Sequence, residues 1–306
     1  MEFSLQRYLE AKKGVDDRAV NRRVWERLKT ALIGAGGRDP VRILEISGGI
    51  GSMLHRMLAD GVLSRAAYTL IDDDSENLQT AAALLPQWLN GMGLETASRR
   101  TGLFIYTPVV AVDTELETIG LDDFMEREAG QTQWDLIVGH AALDMMDVPR
   151  LLPELCSLAY PGALLYFPAN FDGLAGFEPV LDPVLDDEIV SLYHLALDKR
   201  KGKGTVPGSS SRTGRHLFTW LEKAGLEILD AGSSDVVIFP RRGRYTGGEA
   251  YFLHYNIHSI VQTLKAHSDL DGARLSEWES VRRAQIENAE LKYIAHRIDF
   301  LAQVSV

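Results

Sequence analysis

The chain of 306 residues carries 43 acidic and 32 basic side chains, a net charge of −11, with 45% hydrophobic and 25% charged residues. That balance excludes a disordered chain and argues against a nucleic-acid coat, because phosphate-backbone affinity is supplied by Lys and Arg. The single cysteine, Cys156, excludes an intrachain disulfide and a thiolate zinc site. The chain starts without an apolar signal core and holds no apolar run of membrane length, so a soluble cytoplasmic protein is expected.

Residues 3–33 read as a helix, with Val20, Val24, Leu28 and Leu32 recurring every four residues. Gly34, Gly36, Gly37 and Pro40 end it. Residues 41–46 (VRILEI) form a short apolar strand that runs into Ser47-Gly48-Gly49-Ile50-Gly51, and a helix follows to residue 58. Residues 67–71 (AYTLI) are a second strand ending in Asp72-Asp73-Asp74, with Ser75 as the cap of a helix towards residue 89. A third strand lies within 103–112 or extends to 119; 134–138 (WDLIV) is a fourth, 151–158 a helix and 163–168 (ALLYFP) a fifth strand. Nearly continuous apolar strands alternating with helices predict a parallel sheet covered on both faces.

Beyond residue 170 the alternation breaks. A helix is expected over 186–198, a loop over 199–211 and a helix over 213–224. Residues 226–231 and 236–240, joined by Gly232-Ser-Ser-Asp235, read as an antiparallel hairpin. The rest reads as helix, first to about 267 and then over 273–303, where Leu291, Ile294, Ile298 and Leu301 share a face.

The glycine cluster spells neither common phosphate cradle. Counted from Gly49 and Gly51, the third glycine of G-x-G-x-x-G is Leu54, and no Lys follows to complete G-x-x-x-x-G-K. It resembles instead the first motif of class I S-adenosylmethionine (SAM)-dependent methyltransferases, an acid followed by three alternating glycines. Glu45 takes the acidic place and Gly49 and Gly51 the second and third glycines, while Ser47 replaces the first, a departure tolerable if the backbone there needs no positive φ. Asp72, twenty-one residues after Gly51, stands where such enzymes hold the ribose hydroxyls. The segments 71–78, 134–138 and 160–166, and the late hairpin, are similar to the family's later elements.

The resemblance implies an α/β fold: a seven-stranded, mostly parallel sheet with an antiparallel terminal hairpin, plus helical N-terminal, inserted and C-terminal additions. The expected divisions are 1–38, a SAM-binding core of 39–170 and 211–245, an inserted cap of 171–210, and a helical addition of 246–306. It implies SAM as cofactor, held by Glu45, Ser47, Gly49, Gly51, Asp72 and Asp73. The adenine contact falls on Asp113 or Asp122, and Asp122 is preferred. The alternatives are a non-catalytic SAM- or nucleotide-binding regulator and an aminopropyltransferase.

Methyl transfer is an in-line displacement that needs alignment, and a base only where the acceptor has a proton to lose. Acting groups belong at the strand ends. His140, after the fourth strand, is a cofactor contact and a catalytic candidate, or it packs against the sheet end. Asp172 and His194 are further catalytic candidates, and Asn170, Tyr193, Arg212 and Arg215 candidate substrate contacts. No residue set has metal-binding spacing; His254 and His258 lack the Glu of H-E-x-x-H. From Lys199 to His216 six cations occur without an acid, a surface loop or a clamp for an anionic small molecule. Among Tyr8, Arg18, Asn21 and Arg22, an Arg or Tyr could meet the methionine carboxylate by fold analogy. The expected partner is a small-molecule acceptor, with no nucleic acid or membrane, and the helical additions could form a homodimer interface.

Overall fold

A computed structural model describes residues 2–34, 39–130, 134–199, 211–267 and 270–305. Two helices lead in, α1 (Leu5–Ala19) and α2 (Arg22–Gly34). They divide at Asn21, where one continuous helix was expected. The Asn21 backbone N–H donates to Asp299 at 2.9 Å, its amide donates to the Ser233 carbonyl at 2.7 Å, and its Oδ1 caps α2 at Val24. Those tertiary bonds outweigh the helical period.

The core then runs β1 (Val41–Ile46), α3 (Ser52–Ala59), β2 (Arg65–Asp72), α4 (Ser75–Asn90), β3 (Glu95–Ser98), β4 (Leu103–Tyr106) and β5 (Ala111–Thr118). It continues through α5 (Leu121–Glu128), β6 (Trp134–Val138), α6 (Val148–Leu158) and the long β7 (Ala159–Glu178). After α7 (Pro183–Asp198) and α8 (Thr213–Lys223) come β8 (Leu226–Ser233), β9 (Val236–Ile238), α9 (Glu249–Leu264), α10 (Gly272–Glu287) and β10 (Lys292–Val304). Asp74, rather than Ser75, caps α4 by accepting from Glu76.

The strands form one sheet in the order β3-β4-β5-β2-β1-β6-β7-β10-β8, with β9 beside β10. β5, β2, β1, β6 and β7 are mutually parallel, whereas β10 runs antiparallel to β7, β8 and β9. Successive residues feed opposite faces. Ile43, Leu136 and Leu164 join α2, α3 and α4 in one core, while Leu44, Ile137 and Leu165 join α5, α6 and α8 in the other. A third core packs α1, α7, α9 and α10 on the projecting ends of β7 and β10.

Four expectations are corrected. The third strand is Ala111–Thr118; residues 103–106 belong to an antiparallel edge hairpin with β3. The fifth strand continues to Glu178, through the first residues assigned to the expected cap. The 246–306 segment is not wholly helical, because α10 ends at Glu287 and β10 enters the central sheet. Its alternation was hidden because Arg297 and Asp299, both buried, occupy inward positions where a strand would show apolar residues. Hence β8 and β9 both pair with β10, and not with each other as a hairpin. Residues 200–210, the centre of the acid-free basic stretch, lie outside the described residues. No helix among the described residues is long and apolar enough to cross a membrane.

Candidate functional site

The sheet order reverses between β1 and β6, and open α/β sheets bind ligands in the crevice at such a switch point. The β1–α3 turn fills it. Ser47, Gly49 and Gly51 have φ values of 49°, 56° and 77°. Ser47 therefore takes a left-handed backbone, so the condition under which serine is tolerated at the first glycine position is not met. A Cβ on Gly48 would collide with Leu70, so that glycine lets the turn lie flat on β2. Relief of left-handed strain at about 1–2 kcal/mol, less about 0.4–1 kcal/mol of added unfolded-state entropy, predicts that Ser47→Gly stabilises the fold by roughly 1 kcal/mol. Chemical denaturation measures this; a destabilised variant contradicts it.

Asp72, 6% exposed at the end of β2, ties the turn to the sheet. One carboxylate oxygen accepts from the Gly49 N–H at 2.9 Å; the other accepts from the Asp74 N–H and the Asn77 amide, each at 3.0 Å. A carboxylate has about four acceptor positions, so one remains for a ligand hydroxyl. Glu45 lies deeper, accepting from the Tyr68 hydroxyl at 2.6 Å, and burial pushes its carboxyl up to about 8 against the pull of Tyr68 and Arg56. Its Oε1 is sealed from water without a partner, as is Nη2 of Arg56 on α3. One unmet acceptor and one unmet cationic donor beside a glycine turn suit an amino acid's ammonium and carboxylate.

Helix α1 covers this turn. Gln6 donates to Asn77 at 3.1 Å, Leu9 packs against Gly49, and Asp17 pairs with Arg56 at 2.8 Å. Further along, Asp16 accepts from Arg297 at 2.7 Å and from Lys12, and lies 3.3 Å from His140 Nε2. The parallel core, the antiparallel β10 placed between β7 and β8, and the glycine turn with Asp72 at the switch point decide the architecture.

This is the class I methyltransferase fold.

No protein-family model and no curated protein matches the chain. Solved structures of similar shape include a SAM-dependent methyltransferase from Thiobacillus denitrificans in complex with S-adenosyl-L-homocysteine (SAH). It shares 12% identity at a TM-score of 0.44, covering 94% of this chain and 92% of that one. YjhP from Escherichia coli shares 13% identity at a TM-score of 0.46, covering 98% and 100%. The cyclopropane synthase MmaA2 from Mycobacterium tuberculosis shares 10% identity at a TM-score of 0.44, covering 91% and 83%. The fold assignment stands on the strand order itself.

Glu45, Ser47, Gly49, Gly51, Asp72 and His140 all lie at or just beyond the C-terminal ends of β1, β2 and β6. His140 follows β6 by two residues; burial pushes its imidazole down to about 4 although Asp16 pulls the other way, so it is neutral at pH 7 and directs Nε2 to Asp16. Asn170 is fully buried on β7, donating to the Phe167 carbonyl at 2.6 Å and the Ile298 carbonyl at 2.9 Å, while its Oδ1 has no partner. Asp73 is exposed beside Asp72.

Other candidates are engaged elsewhere. Asp122 pairs with Arg150 in the first turn of α5, and Asp113 lies 3.4 Å from Arg99 on the sheet. Asp172 is held by the Arg215 N–H and guanidinium at 2.7–3.0 Å, so these two serve each other rather than an open site. His194 stacks edge-on against Phe171, and burial lowers its imidazole, with Arg212 adding to the effect. Tyr193 shares the α7 packing against the third core. Of the N-terminal candidates, Tyr8 stacks on Phe252 and Tyr255, Arg18 pairs with Glu249 and Arg22 with Asp60. His254 lies 3.3 Å from Arg283, and no group of three metal-ligating side chains assembles among the described residues.

Sequence reasoning missed Lys12, Asp16 and Arg297, and also Asp144 in the turn after β6. Asp144 Oδ2 accepts from the Phe171 N–H at 3.2 Å, while Oδ1 is sealed from water without a partner. Burial pushes this carboxyl up to about 7, against Phe171, Thr213, Arg297 and Lys12, all of which favour its charged form. The one signal in the sequence was an acid four residues beyond His140.

Proposed function

We propose that the chain is a SAM-dependent methyltransferase acting on a small molecule enclosed beneath α1 at the ends of β6, β7 and β10. The observation that carries this reading is Asp72: a buried carboxylate fixed to the Gly49 N–H, with one acceptor position left, beside a turn that lacks a phosphate cradle. SAM needs no phosphate site, and its ribose hydroxyls call for such an acceptor. When bound, it would supply an electrophilic methyl group.

The chain's own residues would do the rest. Asp72 would accept from the ribose, Glu45 would receive the ammonium and Arg56 the carboxylate. An arriving ammonium favours the ionised form of Glu45. Helix α1 would exclude water, which strengthens these contacts. The lone Cys156 agrees with a cytoplasmic setting.

Calorimetric titration with SAM and SAH tests the reading. Both are expected to bind at one site per chain. Absence of heat from either would end the methyltransferase reading. Binding of both with no turnover across hydroxyl, amine, thiol and carbon acceptors would move it to a SAM-binding regulator.

A further inference from the structure

Asp144 is not explained by packing. It stands in the 3-10 turn Leu143–Met145 after β6, at the switch point of the sheet. Its Oδ2 is fixed by the Phe171 N–H on β7, and Thr213 at the start of α8 supports the same carboxyl. The residue as a whole is half-buried, while its Oδ1 is closed to solvent and accepts from no protein donor. A buried acceptor without a donor costs free energy, and Asn170 on the adjoining strand leaves a second such acceptor, Oδ1. Both unmet atoms accept, so the complementary group is a donor.

We propose that Asp144 is the general base of this site, and that the methyl acceptor is a molecule carrying an O–H or N–H group which Oδ1 receives. The proposal rests on the methyltransferase reading and narrows it to oxygen or nitrogen acceptors. Asp144 takes the acceptor's proton onto Oδ1. The electron pair left on oxygen or nitrogen forms the bond to the methyl carbon as that carbon leaves sulfur, whose bonding pair stays on sulfur. The proton passes to water on product release.

The groups that face Asp144 fit this task. Lys12 from α1 and Arg297 from β10 favour its carboxylate, while burial favours the acid form, and the balance lies at about 7, where a base both holds and releases protons. His140, four residues earlier, is driven the other way, to about 4, and its Nε2 faces Asp16. Two neighbouring groups pushed apart in this manner divide the roles: a neutral tether and a proton acceptor.

The experiment uses the full chain. Infrared difference spectra of the free protein, with aspartate labelled with carbon-13, are expected to show a buried protonated carboxyl that ionises near pH 7 and is absent in Asp144→Asn. With SAH present, phenol is expected to bind at least about tenfold more tightly than anisole, which has the same ring without the O–H. Asp144→Asn is expected to remove that preference while keeping SAH affinity within about threefold. A wild-type spectrum with no carboxyl ionising near neutrality, or equal affinity for phenol and anisole, overturns the proposal. If the carboxyl titrates and phenol is preferred while SAH does not bind, Asp144 remains the proton acceptor and the methyltransferase reading falls instead.

Discussion

Replacing Asp72 with Asn is expected to weaken SAH binding on the order of 100-fold while the chain stays folded. Hydrogen bonds to a charged group contribute about 1.5–3 kcal/mol each, and about 1.4 kcal/mol is tenfold in affinity. Part of the loss comes from the turn itself. The carboxylate now receives three donors: the Gly49 N–H, the Asp74 N–H and the Asn77 amide. An Asn amide must present its own NH₂ to some of them, leaving donors opposed at a cost of about 1–3 kcal/mol. The expected pattern is a large fall in affinity by calorimetry with a smaller fall in stability by denaturant titration. Unchanged affinity would remove Asp72 from the site.

The second large effect is on stability. Arg297→Gln is expected to destabilise the fold by up to about 3–5 kcal/mol, because it leaves the buried Asp16 carboxylate with only Lys12 as a charged partner. For a chain of this size that lowers Tm on the order of 10 °C. Arg297 is 7% exposed and Asp16 3%, and their bond at 2.7 Å links β10 to the covering helix. The pH dependence has a definite sign. Burial alone would raise the Asp16 carboxyl, but Lys12, Arg297 and His140 hold it well below the usual carboxylate range. A depressed carboxyl contributes stability above its unfolded value, near pH 4, and loses that contribution as pH falls through the folded value. Wild type should therefore lose stability on acidification below about pH 4, and Arg297→Gln should show less of that loss. An Arg297→Gln protein as stable as wild type at pH 7 would show that α1 is not held by this pair.

The parts of the molecule that follow local rules were legible in the sequence. The apolar runs of β1, β2 and β6, the glycine turn after β1 and the acid at the end of β2 stand where the resemblance placed them. What could not be read depends on contacts distant in sequence. Arg297 and Asp299 lie on inward positions of β10 because Asp16, Asn21 and Ala169 supply their partners, so the strand carried no apolar alternation. Asn21 interrupts the first helix for a bond to β8. Ser47 occupies a left-handed conformation that its residue type does not announce. Asp144 is distinguished only by what fails to touch it. The strand pattern thus reports the fold, and its departures, two buried charges on β10 and a half-satisfied carboxylate after β6, stand beside the proposed site.

The central claim is that Asp72 and the β1–α3 turn form a SAM site closed by α1. A crystal structure of the chain with SAH bound tests it most directly. The account predicts the ribose hydroxyls on Asp72, the amino-acid end between Glu45 and Arg56, and the sulfur facing the turn that carries Asp144. SAH bound away from Asp72, or a glycine turn still filled by Leu9 and Gln6 with the ligand elsewhere, would contradict it.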